Sequence, residues 1–168
     1  LDLGFSACTV LPCIGGQFVR SSMRQLPVGG RVLTNLLIER LKLRQYDLSD
    51  CWLVAEELLQ KACTVSEDFD ASLRESYAGV ETCHYVLPDG AKVLHGYVEE
   101  PADALYAQGE AAAAGAEAGG KVEPSLPALS RLRLRAERVV VPEALFRPMD
   151  QGIMHAGIAD IVWEAVKA

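Results

Sequence analysis

Asp2-Leu3-Gly4-Phe5-Ser6, followed by Ala7-Cys8-Thr9-Val10, places a carboxylate two residues ahead of a glycine turn between two strand-like runs. A carboxylate with backbone N–H groups at such a turn is how several ATPases wrap a metal-bound phosphate, so nucleotide hydrolysis is the first chemistry to weigh. Competing chemistry is sparse. His84, His95 and His155 do not pair with cysteines at zinc spacings, and Cys8 with Cys13 has no second ligand pair, so structural roles are expected for all of them. No G-x-S-x-G, no Walker glycine loop and no glutamate pair set in an evident cleft is present. Arg131, Arg133 and Arg135 fall on one side of an alternating run, which reads as a solvated strand edge ahead of a site for nucleic acid or an acidic protein.

The elements that must position the turn follow from periodicity. Residues 1–4, 7–13 and 17–20 read as successive strands of a β-meander, with turns at Gly4-Phe5-Ser6 and Gly15-Gly16 where backbone freedom is expected to matter. A short strand near Arg24-Gln25-Leu26 runs into Pro27-Val28-Gly29-Gly30. Leu33, Leu36, Leu37 and Leu41 then predict a helix over 31–44. Asp47 and Ser49-Asp50 offer N-caps for a second helix ending near Thr64, with Ala55, Leu58, Leu59 and Ala62 on one face. Pro88-Asp89-Gly90 between residues 84–87 and 92–95 suggests a hairpin.

Residues 99–127, with "EAAAAGAEAGG" at their centre, carry hardly any large apolar side chain and read as a flexible low-complexity insertion. Arg131-Leu132-Arg133-Leu134-Arg135 alternates as a half-buried strand. Residues 139–143 then lead to a helical turn around 144–146, and Ile158, Ile161, Val162, Ala165 and Val166 mark a closing helix.

The chain has 168 residues, 50% of them hydrophobic, enough for a sizeable core in one domain or two small ones. It has no initiating Met and is expected to be an internal piece of a longer protein. No apolar run reaches the length of a membrane span, so no membrane partner is expected. The five cysteines are an odd number in apolar contexts and read as reduced, buried thiols. Residues 1–48 hold six basic and three acidic groups, whereas residues 49–110 hold three basic and thirteen acidic. That middle section disfavours DNA and reads as an acidic solvated surface, with a basic partner such as a histone tail as the alternative.

Four stretches in order, "LPVGGRVLTNLLIERL", "ACTVSEDF", "YVLPDG" and "VVVPEALFRPMDQGIMHAGI", resemble the actin family. The likeness covers nearly the whole chain outside the insertion. Within the family, Gly4-Phe5-Ser6, Arg44-Gln45 before Ser49-Asp50, Val65-Ser66 before Asp68-Phe69, and the long segment between Tyr97 and Arg138 resemble the nuclear actin-related proteins of chromatin remodellers. The resemblance implies an α/β fold, part of an actin-like ATPase fold. Residues 1–28 and 136–168 would form a ribonuclease-H-like third subdomain, and residues 29–135 an inserted α/β fourth subdomain. The other half of the nucleotide cleft and the adenine loop would lie outside this chain.

In the family the opening turn binds phosphate and holds the waters of a divalent metal. Asp2 and Gly4 match that pattern, and Gly29-Gly30-Arg31 matches the stretch that lies against the ribose. Asp2, Gly4, Gly29 and Gly30 are therefore the expected residual nucleotide-binding residues, although Gly29 and Gly30 also read simply as a turn at a helix N-terminus. Phe5 stands where actins carry a second Asp, and Thr9 where they carry a His that positions the attacking water. Phe offers a hydrated metal no oxygen, and a Thr hydroxyl is no substitute for an imidazole proton relay. Leu59 and Gln60 replace the family's Lys-Glu adenine clamp.

What the resemblance implies is a non-catalytic scaffold subunit, with ATPase activity lost or very weak, in a remodeller of the Swr or SRCAP type that exchanges a variant histone into nucleosomes. No catalytic residue, no metal and no required cofactor are expected, with ATP retained at most as a structural ligand in the full-length protein. Expected partners are the remodelling ATPase and a zinc-HIT subunit, with the nucleosome or histones reached indirectly, in the nucleus or, as the alternative, the cytoplasm. The competing readings are an ATP-hydrolysing actin-like filament protein and a sugar-kinase or chaperone ATPase on the same core fold.

Overall fold

The computed structural model describes residues 1–44, 46–79, 82–90, 93–99 and 131–168. Strands β1 (Asp2–Leu3), β2 (Cys8–Val10) and β5 (Arg24–Leu26) form an antiparallel sheet in the order β1-β2-β5, with Asp2 opposite Thr9 and Cys8 opposite Leu26. β3 (Cys13–Ile14) and β4 (Gln17–Phe18) form a separate hairpin closed by Gly15 and Gly16, whose positive φ angles of 56° and 80° suit residues without a Cβ. The expected continuous meander is therefore interrupted. Leu11 and Pro12 end β2, and the Pro12 carbonyl accepts from the Val19 N–H at 3.0 Å to close the hairpin on itself.

Helix α1 (Gly30–Lys42) and helix α2 (Trp52–Ala62) pack their apolar faces against a second antiparallel sheet. That sheet is β6 (Cys83–Val86) flanked by β7 (Tyr97–Glu99) and β8 (Arg131–Leu134), in the order β7-β6-β8. The alternation read in β8 is realised, with Leu132 and Leu134 buried and Arg131 and Arg133 exposed. The expected hairpin is shifted: Val86 pairs with Tyr97, and 94–95 form a bend. The Asp89-Gly90 turn does form, as Asp89 N–H donates to Val93 O at 3.0 Å and Asp89 Oδ1 accepts from Val93 N–H at 2.8 Å. The chain then passes Gly96, where a Cβ would lie 2.2 Å from the Tyr85 hydroxyl, before pairing begins. Of the expected insertion, Glu99 lies in β7 and 100–127 lie outside the described residues.

Two further helices depart from the sequence reading. Helix α3 (Phe69–Ala78) occupies the stretch read only as acidic, started by Asp68, whose side chain accepts from Ala71 N–H at 3.0 Å, and stopped by Gly79 in the left-handed region at φ 79°. Helix α4 (Glu137–Glu143) takes in Val139, Val140 and Val141 and places Pro142 inside a helical turn. Proline has no N–H for the carbonyl of Arg138, and that carbonyl accepts from Thr64 N–H at 3.0 Å instead. The Arg138 Nε–H donates to Ala62 O at 2.9 Å, so the proline's deficit becomes a two-bond junction with the end of α2.

Helix α2 starts at Cys51 with no side-chain cap, because Asp47 accepts instead from Ser49 N–H and pairs with Lys42. The closing helix α5 (Ile158–Lys167) lays Ile158, Ile161 and Ala165 on β2 and β5. Two apolar clusters result. One joins Leu37, Leu41, Leu58, Tyr85, Leu132, Leu134 and Val141, and a smaller one joins Cys8, Val10, Leu26 and Val28 to α5. The cysteines do not all follow the buried-thiol reading, since Cys13 and Cys51 are exposed. Among the described residues no helix is long and apolar enough to cross a membrane.

Candidate functional site

Gly4 closes the opening turn by donating its N–H to Ala7 O at 3.1 Å. Its φ is not positive, so freedom of the backbone is not what selects glycine here. A Cβ at Gly4 would stand 3.0 Å from the Ala7 carbonyl and 3.6 Å from Asp2 Oδ2, so close approach selects it. The turn is then locked onto α1: Gly30 N–H donates to Gly4 O at 3.2 Å and Arg31 N–H to Phe5 O at 2.9 Å. Two of the amides that open a helix N-terminus to anions are thus taken by carbonyls of the turn.

Gly29 makes this docking geometrically possible. A Cβ there would fall 2.6 Å from Gly4 O, 2.7 Å from Phe5 O and 2.8 Å from Ala7 N, all backbone atoms that have no rotamer to yield. Gly30 is different, since its Cβ would come no nearer than 3.5 Å to the Phe5 ring and 3.7 Å to the Phe5 backbone, ordinary contacts. Below the turn, the buried Cys8 thiol donates to Val28 O at 2.9 Å and is pushed above its ordinary pKa by burial, then by the charge of Asp2. It is a structural donor and no nucleophile at neutral pH.

Asp2, Gly4, Gly29 and Gly30 are therefore brought together as the sequence placed them, with Asp2 exposed and directly across the strand pair from Thr9. Thr9 is half-buried. Sequence reasoning missed what α2 brings to the same place. Trp52 stacks edge-on against Phe5 with ring centroids 5.5 Å apart, its indole N–H donates to Asn35 Oδ1 at 3.2 Å, and Glu56 joins the wall of the adjoining cavity. Trp52 and Glu56 are four residues apart on one face of α2, but that spacing does not say that the face meets the turn. Leu59 packs against the larger core and Gln60 is exposed, an apolar anchor beside a neutral surface amide.

The cavity beside the turn measures about 270 Å³ and is walled by Leu3, Phe5, Cys8, Leu33, Leu145 and Glu56 with the glycines. Among the described residues the one charged group in its wall is the Glu56 carboxylate, which repels phosphate, and Phe5 presents a ring where a hydrated metal needs oxygen. Among the described residues no cluster of three or more His, Cys, Asp and Glu side chains is placed to hold a metal. At this turn Phe5 offers no oxygen to a hydrated metal and Thr9 no imidazole to a reacting water.

A three-stranded sheet with a closing helix, a helix docked on its glycine turn, and an α/β layer inserted between them define the fold class. The actin family model matches residues 1–168, and the chain belongs to the actin family, with an α/β actin-like fold. It is similar to actin-related protein 6 of Neurospora crassa, at 31% identity over all of this chain and 38% of that protein. It is also similar to the actin-like protein arp6 of Aspergillus fumigatus, at 34% identity over 99% of this chain and 37% of that protein. With actin-related protein 6 of Drosophila melanogaster the identity is 31%, over all of this chain and 39% of that protein. The chain spans less than two fifths of the length of these relatives.

Proposed function

We propose that this chain is part of a non-catalytic actin-related scaffold subunit of a Swr or SRCAP-type remodeller that exchanges a variant histone into nucleosomes. The observation that carries the non-catalytic reading is the opening turn. Its Gly4 and Phe5 carbonyls accept from the first amides of α1, its second acidic position is Phe5, and the Phe5 ring is packed on Trp52. A turn so arranged keeps the backbone shape of a phosphate loop while lacking the oxygen and imidazole that order a metal and its water. The likeness to proteins named actin-related protein 6 supports the chromatin assignment.

In this reading Asp2, Gly4, Gly29 and Gly30 are residual nucleotide contacts, no metal or cofactor is required, and ATP is restricted to a structural role in the full-length protein. The partners are the remodelling ATPase and a zinc-HIT subunit, with the nucleosome reached through them, in the nucleus. The test is a histone-exchange assay on purified complex carrying Asp2→Ala in the full-length subunit. Exchange within about twofold of the parent complex, with assembly unchanged, is the expected result, apart from a stability effect where nucleotide acts as a ligand. A loss of about 100-fold or more with assembly intact is the scale of a removed electrostatic element of catalysis, and contradicts the reading.

A further inference from the structure

At the end of α1 away from the glycine turn, its last turn meets α3 and the corner between β8 and α4 around a second cavity of about 350 Å³. Its walls are Arg40, Leu43 and Arg44 from the end of α1, Tyr77 from α3, and Arg135, Ala136 and Glu137 from the corner. Three guanidinium groups around one cavity repel each other unless matched by carboxylates, and the structure supplies one. Glu137 is 4% exposed, and both its oxygens are engaged: Oε1 pairs with Arg44 and Oε2 accepts from Arg135 N–H at 2.9 Å. Its charge is matched by Arg44.

Arg40 and Arg135 remain. The Arg40 Nη2 donates to the neutral Gln151 Oε1 at 2.6 Å, which supplies a hydrogen bond and no charge. The Arg135 Nε is buried with no hydrogen-bond partner among the described residues. A buried guanidinium N–H left unpaired is costly, and such groups are ordinarily satisfied. The Nε edge of a guanidinium is also the edge that, with one Nη, takes both oxygens of a carboxylate in parallel bonds. Leu43 and Tyr77, both exposed, supply apolar rim beside these charges, the surface an aliphatic stem would cover.

We propose that this cavity is a docking site for an acidic segment of a protein partner, with a glutamate or aspartate carboxylate received by Arg135 and Arg40 and its stem laid on Leu43 and Tyr77. The strand-edge reading of Arg131, Arg133 and Arg135 then divides. Arg131 pairs with Glu99 at 3.0 Å within the sheet, whereas Arg135 turns into the corner and serves the cavity.

The test measures binding of a fluorescent octaglutamate peptide to the full-length protein at about 0.1 M salt, beside octaglutamine and inorganic phosphate. Arg135→Gln and Arg40→Gln are each expected to weaken octaglutamate binding about tenfold or more, the range of a lost charge-assisted hydrogen bond. Arg20→Gln, an exposed cation in the short 3-10 turn ahead of β5, is expected to change it less than twofold, and melting temperatures of all three variants should stay within a few degrees of the parent. Equal losses from Arg20→Gln would show general attraction and overturn the proposal. So would displacement by millimolar phosphate with no preference for octaglutamate, which would make the cavity a simple oxyanion site. Should Arg135→Gln unfold the protein, Arg135→Lys keeps the charge but not the fork, and octaglutamate binding unchanged in it would equally overturn the carboxylate assignment.

Discussion

The glycine turn and the β6 sheet are held by different means. Around β6, side chains do the work: Tyr85, Leu132 and Leu134 from the sheet meet Leu37, Leu41 and Leu58 from the helices, and all are essentially fully buried. Around the turn, backbone does it. Gly4 O and Phe5 O accept from α1, and Gly29 is pressed against three backbone atoms, while Leu1, Leu3 and Phe5 remain exposed. A region held by backbone contacts keeps its path when its side chains change, so a phosphate-type turn can lose its acidic residue to Phe5 without losing its shape. A region held by packing has no such freedom.

The largest consequence lies in the packed region. Leu134→Ala in the full-length protein is expected to cost about 3 kcal/mol, from lost transfer energy and a cavity that the surrounding helices cannot close. Chemical denaturation measures it, and a cost below about 1 kcal/mol would mean that this core is loosely packed. Next comes the backbone-held turn, where neighbouring glycines should behave differently. Gly29→Ala drives a Cβ into fixed carbonyls and is expected to cost about 2 kcal/mol. Gly30→Ala meets Phe5 at ordinary contact distances, the nearest 3.5 Å, and is expected to fall within about 0.5 kcal/mol of the parent. Equal effects at the two positions would remove the argument that close approach selects Gly29.

The smallest effect belongs to α4, which joins the two regions through Val141 and the following Leu145. Burial holds the Glu143 carboxyl above its ordinary pKa, against the lowering effect of Arg147 at 3.3 Å and with a smaller push from Asp150 and Asp70. The folded state therefore binds this proton more tightly than the unfolded chain does. Stability is lost as pH rises from the ordinary carboxyl value through the raised one. Glu143→Gln is expected to be slightly more stable than the parent at pH 7, with the difference vanishing below pH 4. A variant less stable at neutral pH would show that the Arg147 pair outweighs the burial.

What was legible in the sequence divides along the same line. The packed region announced itself through periodicity: Leu33, Leu37 and Leu41 on α1, and the Arg-Leu alternation of β8. Helix α3 did not, because Phe69, Leu73 and Tyr77 are four residues apart among acidic and hydroxyl residues, a thin stripe. Its caps, Asp68 and Gly79, were the better signal. Helix α4 hid behind three valines, which favour strands locally and were overruled by packing at Val141 and by the junction that Pro142 frees at Arg138.

At the site, the family resemblance grouped Asp2, Gly4, Gly29 and Gly30, and in the structure Gly29 and Gly30 adjoin the Gly4 turn. Phe5 was legible as a missing ligand, but its partner Trp52 was not, since contact between a turn and a helix start 47 residues away leaves no periodic trace. The two-bond lock of α1 onto the turn was equally hidden, because carbonyl direction has no residue code. Of the second cavity's arginines, Arg135 was visible only as a strand-edge charge, and Arg40 not as a site residue at all. It took the saturation of Glu137 by Arg44 and the Arg135 N–H to single out Arg135 and Arg40.

The claim that the turn keeps its shape without its chemistry is tested most directly by ATP turnover. The measurement is steady-state phosphate release by the purified full-length protein, free of its partners, beside the Asp2→Ala variant. The account predicts no release above background in either, because Phe5 supplies no metal-ordering oxygen and Thr9 no proton relay. Turnover in the parent that Asp2→Ala lowers about 100-fold would contradict it, since that loss is the mark of an electrostatic element acting on the reacting phosphate.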